Sequence, residues 1–214
     1  MLMIGINGSP RKNWNTGTLV QKALDGAAAA GWQTELVHLY DLAYQGCRSC
    51  FSCKMKDGAG LGRCAVNDAL QPVLQRILEQ ADALVVGSPI YFGQMSGATR
   101  SFIERLLFPS LVYSNPVSTM LPRTIKTGLI LTMGAPEAAA MQMGYDRMFE
   151  VATWSFTTIC GHCELLCSYD TYQFPDYDKV VMEYADPVKK AERRATVFPE
   201  DCEQAVALGR RLAG

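Results

Sequence analysis

Five short apolar runs, each followed by a stretch of helical periodicity, constrain this chain's fold more than any other feature. The runs cover residues 2–7 (LMIGIN), 33–40 (QTELVHLY), 83–87 (ALVVG), 127–133 (TGLILTM) and 163–169 (CELLCSY). The spacing predicts helices over 18–30, 69–80, 97–107 and 138–159, then two helical pieces between 186 and 213 separated near Pro199. Central runs that are apolar on both faces imply a parallel sheet covered by helices on each side, an α/β three-layer sandwich. With right-handed crossovers, the strand order that best suits five such strands is 2-1-3-4-5. At 214 residues the chain can fill one core without disulfides and reads as a single domain, 1–214. Its less regular parts, 41–66, 108–124 and 170–185, read as functional or contact loops.

Charge and hydropathy narrow the partners. Twenty basic against 21 acidic residues leave a formal charge of -1, so neither nucleic acid nor an anionic membrane surface is an expected partner. No apolar stretch approaches the roughly 20 residues needed to cross a bilayer. A strand-like run follows Met1 almost at once, with no basic segment and signal core, and a cytoplasmic protein is expected. Neither of the two histidines lies in a nucleophile pattern, which leaves hydrolysis unsupported.

Three turns fall at the carboxyl ends of strands, where open α/β sheets bind ligands. The first is Gly8-Ser9-Pro10-Arg11-Lys12-Asn13-Trp14-Asn15-Thr16-Gly17-Thr18. A helix start offers free N–H groups and a positive dipole end to a phosphate, and Ser9, Asn15, Thr16 and Thr18 add short donors while Arg11 adds charge. The plainer reading is a polar strand–helix turn. The turn is neither G-x-x-x-x-G-K-[ST] nor G-x-G-x-x-G, which disfavours a nucleoside triphosphate or a Rossmann-type dinucleotide. The second turn runs through Pro89, Ile90, Tyr91, Phe92 and Gly93. Its rings and backbone amides suit a planar heteroaromatic ring, although Tyr91 and Phe92 could merely pack over the sheet edge. The third is Thr132-Met133-Gly134-Ala135.

Cys47, Cys50, Cys53 and Cys64 crowd into 18 residues, a density unusual for a reducing compartment. The residues alone leave open an iron–sulfur cluster, a zinc site, and free thiols or a labile redox pair. Cys160-Gly161-His162-Cys163 spells a dithiol motif, but its first cysteine closes a helix rather than opening one, so core packing is expected. Cys163, Cys167 and Cys202 read as small buried hydrophobes, His38 as a structural histidine, and the methionines at 141, 143 and 148 as core filling.

The two longer turns resemble those of the NAD(P)H-dependent FMN reductases and iron–sulfur flavoproteins, a flavodoxin-like superfamily. GSPR-K-N-x-N-T resembles the FMN-phosphate loop, in which Ser9, Arg11, Asn15 and Thr16 would line the phosphate. Trp14 stands where a small residue is expected. SPIYFGQMSGATRSFIER resembles the second flavin loop, with Arg100 where lysine is usual. The cysteine run resembles the motif that holds a [4Fe–4S] cluster, with Asp68 following in step, but the ten-residue gap before Cys64 is longer than usual. Asp170-Thr171-Tyr172-Gln173-Phe174 with Asp176-Tyr177 looks like a tail element of the same relatives. The resemblance implies an FMN-dependent oxidoreductase in which the flavin, not a side chain, is the reactive group. It further implies NAD(P)H as donor, a small-molecule or protein acceptor, and a homodimer or homotetramer.

Overall fold

The computed structural model describes residues 1–183 and 185–214. The five long strands of its main sheet are β1 (Leu2–Asn7), β2 (Gln33–His38), β3 (Ala83–Tyr91), β4 (Lys126–Thr132) and β5 (Cys163–Ser168). All pair in parallel, in the expected order β2-β1-β3-β4-β5. The helices are α1 (Asn15–Ala29), α2 (Gln71–Gln80), α3 (Gly97–Leu107), α4 (Glu137–Gln142), α5 (Tyr145–Cys160) and α6 (Pro187–Ala213).

Strand alternation divides the core into two layers. Ile4, Ile6, Leu84, Val86 and Leu129 face Leu74 and Ile77 of α2, Phe102 and Leu106 of α3, and Phe156 of α5. Met3, Ala83, Val85 and Ile130 face the other way, onto Leu19, Val20 and Leu24 of α1 and Leu208 and Leu212 of α6. Each buried Leu or Ile contributes about 1.5–3 kcal/mol, so two filled faces hold the sheet while all eight cysteines stay unpaired.

Local propensity fails at four places, each for a physical reason. The first helix begins at Asn15, three residues earlier than predicted, because Thr18 N–H already bonds Trp14 O at 2.8 Å. The third strand runs on to Tyr91 because Ile90 and Tyr91 pair with Met95 and Gln94 in a short antiparallel hairpin. The stretch over 138–159 is two helices, α4 and α5, broken where Gly144 adopts φ 76°. Met141 and Met143 beside that break are exposed rather than core-filling, while Met148 does pack against Leu131 and Phe149.

The last segment is one helix, not two pieces, and Pro199 lies inside it. Tertiary packing overrides the proline. A β-carbon on Gly26 of α1 would sit 2.1 Å from Val206 O, and one on Gly209 of α6 would sit 1.8 Å from Ala23 O, so the two backbones touch along the turns that follow Pro199. An interior proline costs a helix about 3 kcal/mol. The exposed Pro199→Ala change is therefore expected to stabilise the chain by about 1–3 kcal/mol, read as a higher Tm. A lower Tm would mean that α6 needs the proline's distortion.

Candidate functional site

Asn7, at the carboxyl end of β1, shapes the first turn. Its Oδ1 accepts from Ser9 N–H at 3.0 Å, and its Nδ2 lies 3.0 Å from His38 Nδ1, which accounts for that histidine structurally. Ser9 Oγ then accepts from Arg11 N–H at 3.1 Å. The turn closes so tightly on α1 that a β-carbon on Gly17 would meet Lys12 O at 1.8 Å. The resulting helix start is buried at Asn15 and Thr16, has no side-chain cap from Trp14, and carries no acid in its first turn. Such an end leaves N–H donors and the positive dipole for an anion.

Three side chains of this turn reach the 172–173 segment. Arg11 Nη1 donates to Gln173 O at 2.6 Å, and Trp14 Nε1 and Asn15 Nδ2 donate to Tyr172 O at 3.0 and 2.8 Å. The indole that stands in place of a small residue also supports Arg11, whose guanidinium lies 4.0 Å above its ring. Thr18 joins the turn through its backbone bond to Trp14. Residues 170–174 are thus spent on their own chain, and Thr171 is buried.

The other two turns are bonded to the first. Thr16 and Thr132 share a buried hydroxyl–hydroxyl bond of 2.7 Å. Ser96, the N-cap of α3, donates from Oγ to Gly8 O at 2.7 Å and from its N–H to Ser88 Oγ at 3.0 Å. Pro89 is buried, and Ile90 to Gly93 form the outgoing half of the hairpin, with φ 49° at Phe92 and 73° at Gly93. Positive φ at both central residues suits a tight hairpin turn. Phe92 is fully exposed and Tyr91 is 46% exposed, so neither ring simply packs over the sheet edge.

Sequence reasoning missed the contribution of α6. Lys190 Nζ donates to Gly134 O at 2.7 Å and pairs with Asp170, and Arg194 Nη1 donates to Asn15 Oδ1 at 2.7 Å. Gly134 also lies against the Gln173 side chain. A signal was present: Lys190, Arg193 and Arg194 are spaced three and four residues apart, one face of a helix.

The cysteine segment lies farther along α3. Ser49 and Phe51 adopt φ 52° and 56°, turning the chain between successive cysteines. The long gap before Cys64 folds back on itself, since Gly62 N–H donates to Cys53 O at 3.0 Å. Cys47, Cys50, Cys53 and Cys64 line one small cavity of about 20 Å³ with Glu104 and Arg105. Among the described residues no three Cys, His, Asp or Glu side chains are close enough to share one metal ion. Cys53 is buried, and burial pushes its thiol up.

Two cations fix this segment. Lys54 Nζ donates to Phe108 O at 2.5 Å, to Pro109 O at 3.1 Å, and to Leu111 O. Arg105 donates from Nε to Cys64 Sγ at 3.4 Å, from Nη1 to Gln45 O and Asp68 Oδ2 at 3.1 and 2.5 Å, and from Nη2 to Val66 O at 2.9 Å. Burial pushes the Asp68 carboxyl up, but hydrogen bonds from Arg105 and Leu70 N–H outweigh it and hold the group below the usual carboxylate range. A lowered carboxyl stabilises the fold above its unfolded value of about 4 and loses that contribution as pH falls through the folded value. Protease cleavage within 45–68 should therefore stay constant from about pH 7 to 4 and rise only below that. Onset at or above about pH 5 would contradict the clamp.

The dithiol motif packs against the core, as expected. Cys160 ends α5, Gly161 follows at φ 89°, and Cys163 opens β5. Burial pushes the Cys160 thiol up to about 12 and that of Cys163 to about 11. Cys163, Cys167 and Cys202 are half-buried against the core clusters. No described helix is long and apolar enough to cross a membrane.

Known proteins share parts of this arrangement. The sequence model of a family described as NADPH-dependent FMN reductase matches residues 1–148. An iron-sulfur flavoprotein of Methanocaldococcus jannaschii is 36% identical over 105 residues, 49% of this chain and 51% of that protein. The chain spans about half the length of the iron-sulfur flavoproteins it matches. The NAD(P)H:quinone oxidoreductase from Methanothermobacter marburgensis has the same fold, with a TM-score of 0.71 at 14% identity over 99% of this chain and 98% of that one. So does an FMN-dependent NADH-azoreductase from Bacillus anthracis in complex with FMN, with a TM-score of 0.63 at 15% identity over the whole of both chains.

Proposed function

The chain belongs to the NADPH-dependent FMN reductase family, and from that premise we propose that it is an FMN-dependent oxidoreductase of the iron–sulfur flavoprotein type. One observation carries the flavin half. The three turns at the carboxyl edge of the sheet are bonded to one another, through Thr16 to Thr132 and through Ser96 to Gly8. The uncapped, acid-free start of α1 would hold the phosphate with Ser9, Thr16 and Arg11, and Asn15 braces the turn through Tyr172 and Arg194. The Pro89–Gly93 hairpin would carry the ring, with Tyr91 and Phe92 as its aromatic neighbours and Thr132 and Gly134 along the far side. Bound FMN supplies a ring that accepts a hydride from a nicotinamide and releases electrons to an acceptor. No side chain is assigned as acid or base.

The observation that supports a cluster is that all four cysteines line one cavity, so that a multi-iron centre could draw a thiolate from each. Cys47, Cys50, Cys53 and Cys64 would be its ligands. The exposure of Cys47 and Cys50 favours a second reading, an NAD(P)H-dependent FMN or quinone reductase whose thiols are free. A homodimer or homotetramer belongs to either reading. Phe92, Met143 and Val151, exposed around one groove of about 910 Å³, are the apolar surface that assembly would cover.

Anaerobic purification followed by iron and sulfide analysis separates the readings. About four irons per chain are expected for a [4Fe–4S] centre, and none in protected protein would leave the second reading. Adding NADH or NADPH should bleach the yellow chromophore in either case. A flavin that stays oxidised would instead indicate a non-catalytic flavin-binding redox sensor.

A further inference from the structure

Arg105 is the largest fully buried side chain among the described residues, 1% exposed. It has one carboxylate partner, Asp68, and a buried pair of this kind is often replaced by apolar residues at no cost. Its remaining bonds go to the two ends of the cysteine segment: Gln45 O before Cys47, Cys64 Sγ, and Val66 O just beyond. The same helix begins at Ser96, which bonds the phosphate turn at Gly8, about 14 Å away along the axis. Its neighbour Glu104 accepts from Cys47 N–H at 3.3 Å.

We propose that Arg105 is a positioning residue that sets the reduction potential of the cysteine-loop centre, through its hydrogen bond to the Cys64 sulfur and its buried charge. The inference rests on the reading that these cysteines hold an iron–sulfur cluster. Hydrogen bonds to the ligating sulfurs and the net charge around a cluster are the means by which a protein tunes its potential. A donor and a positive charge at Cys64 favour the more negative, reduced state and raise the potential. Asp68 opposes that effect from the other side of the guanidinium.

The test is a potentiometric titration of anaerobically purified protein, read by absorbance and electron paramagnetic resonance, with iron counted in each sample. Arg105→Gln should lower the potential, so that at a fixed ambient potential the ratio of reduced to oxidised centre falls about tenfold, 59 mV for one electron. Asp68→Asn should move it the opposite way. If Arg105→Gln fails to take up iron, Arg105→Lys, which keeps the charge but not the fork, should lower the potential by a smaller amount. Opposite signs at full iron content support the assignment, because mere loosening of the segment would move both variants in one direction. Shifts of one sign, or none, in iron-loaded variants overturn it and leave the cluster reading intact. Iron-free wild-type protein overturns both.

Discussion

Gly17→Ala is expected to weaken FMN binding at least a hundredfold, about 3 kcal/mol, while the sheet stays folded. The added methyl would lie 1.8 Å from Lys12 O and 2.9 Å from Asn7 Nδ2. Neither neighbour is free to retreat. Asn7 is held in β1 between β2 and β3, and its side chain is bonded to Ser9 N–H and His38. The strain must go into residues 11–14, which would swing outward and open the start of α1. Retention of FMN through equilibrium dialysis measures the loss, and far-ultraviolet circular dichroism checks the fold. Gly97→Ala is the control, since a methyl there meets nothing within 4 Å at the start of α3. It should bind FMN like the parent and match or slightly exceed its stability. Equal FMN retention by the parent and Gly17→Ala would mean that the turn is not a ligand cradle.

Lys190→Met should cost about 2–3 kcal/mol of stability and also weaken FMN binding. The ammonium is buried and holds both Gly134 O and the Asp170 carboxylate, so removing it orphans two acceptors. Asp170 is about a third exposed, and water recovers part of the loss, which keeps the figure below that of a fully buried pair. For a chain of this size the change corresponds to a Tm lower by about 4–12 °C. Asp170→Asn on the Lys190→Met background should restore much of the loss, because the orphaned charge is gone. A Tm unchanged by Lys190→Met would show that the α6 contact does not brace the third turn.

These two positions also mark where the sequence could and could not be read. The chemistry near Gly17 was legible: a glycine, short hydroxyls and an arginine between a strand and a helix point to a phosphate turn. The strand order was legible for a similar reason, since the central strands are apolar on both faces and right-handed crossovers leave few choices. Lys190 was legible only as part of a basic helix face with Arg193 and Arg194, because its partners lie 56 and 20 residues away. Arg11 and Arg194 likewise bond residues 162 and 179 positions distant. Pro199 misled for the opposite reason: its local preference is strong, but close backbone contact between α1 and α6 is stronger. Met141 and Met143 read as core only if the helix continues through Gly144, which it does not. The gap before Cys64 read as a departure from pattern because spacing in sequence does not report the Gly62 to Cys53 bond that closes it.

The central claim is that the three turns make one flavin site, and titrating FMN into the flavin-free chain tests it most directly. Quenching of FMN fluorescence that saturates at one equivalent per chain, with a concurrent change in Trp14 emission lost in Trp14→Phe, is the predicted result. FMN fluorescence that stays at its free value throughout the titration would contradict the account.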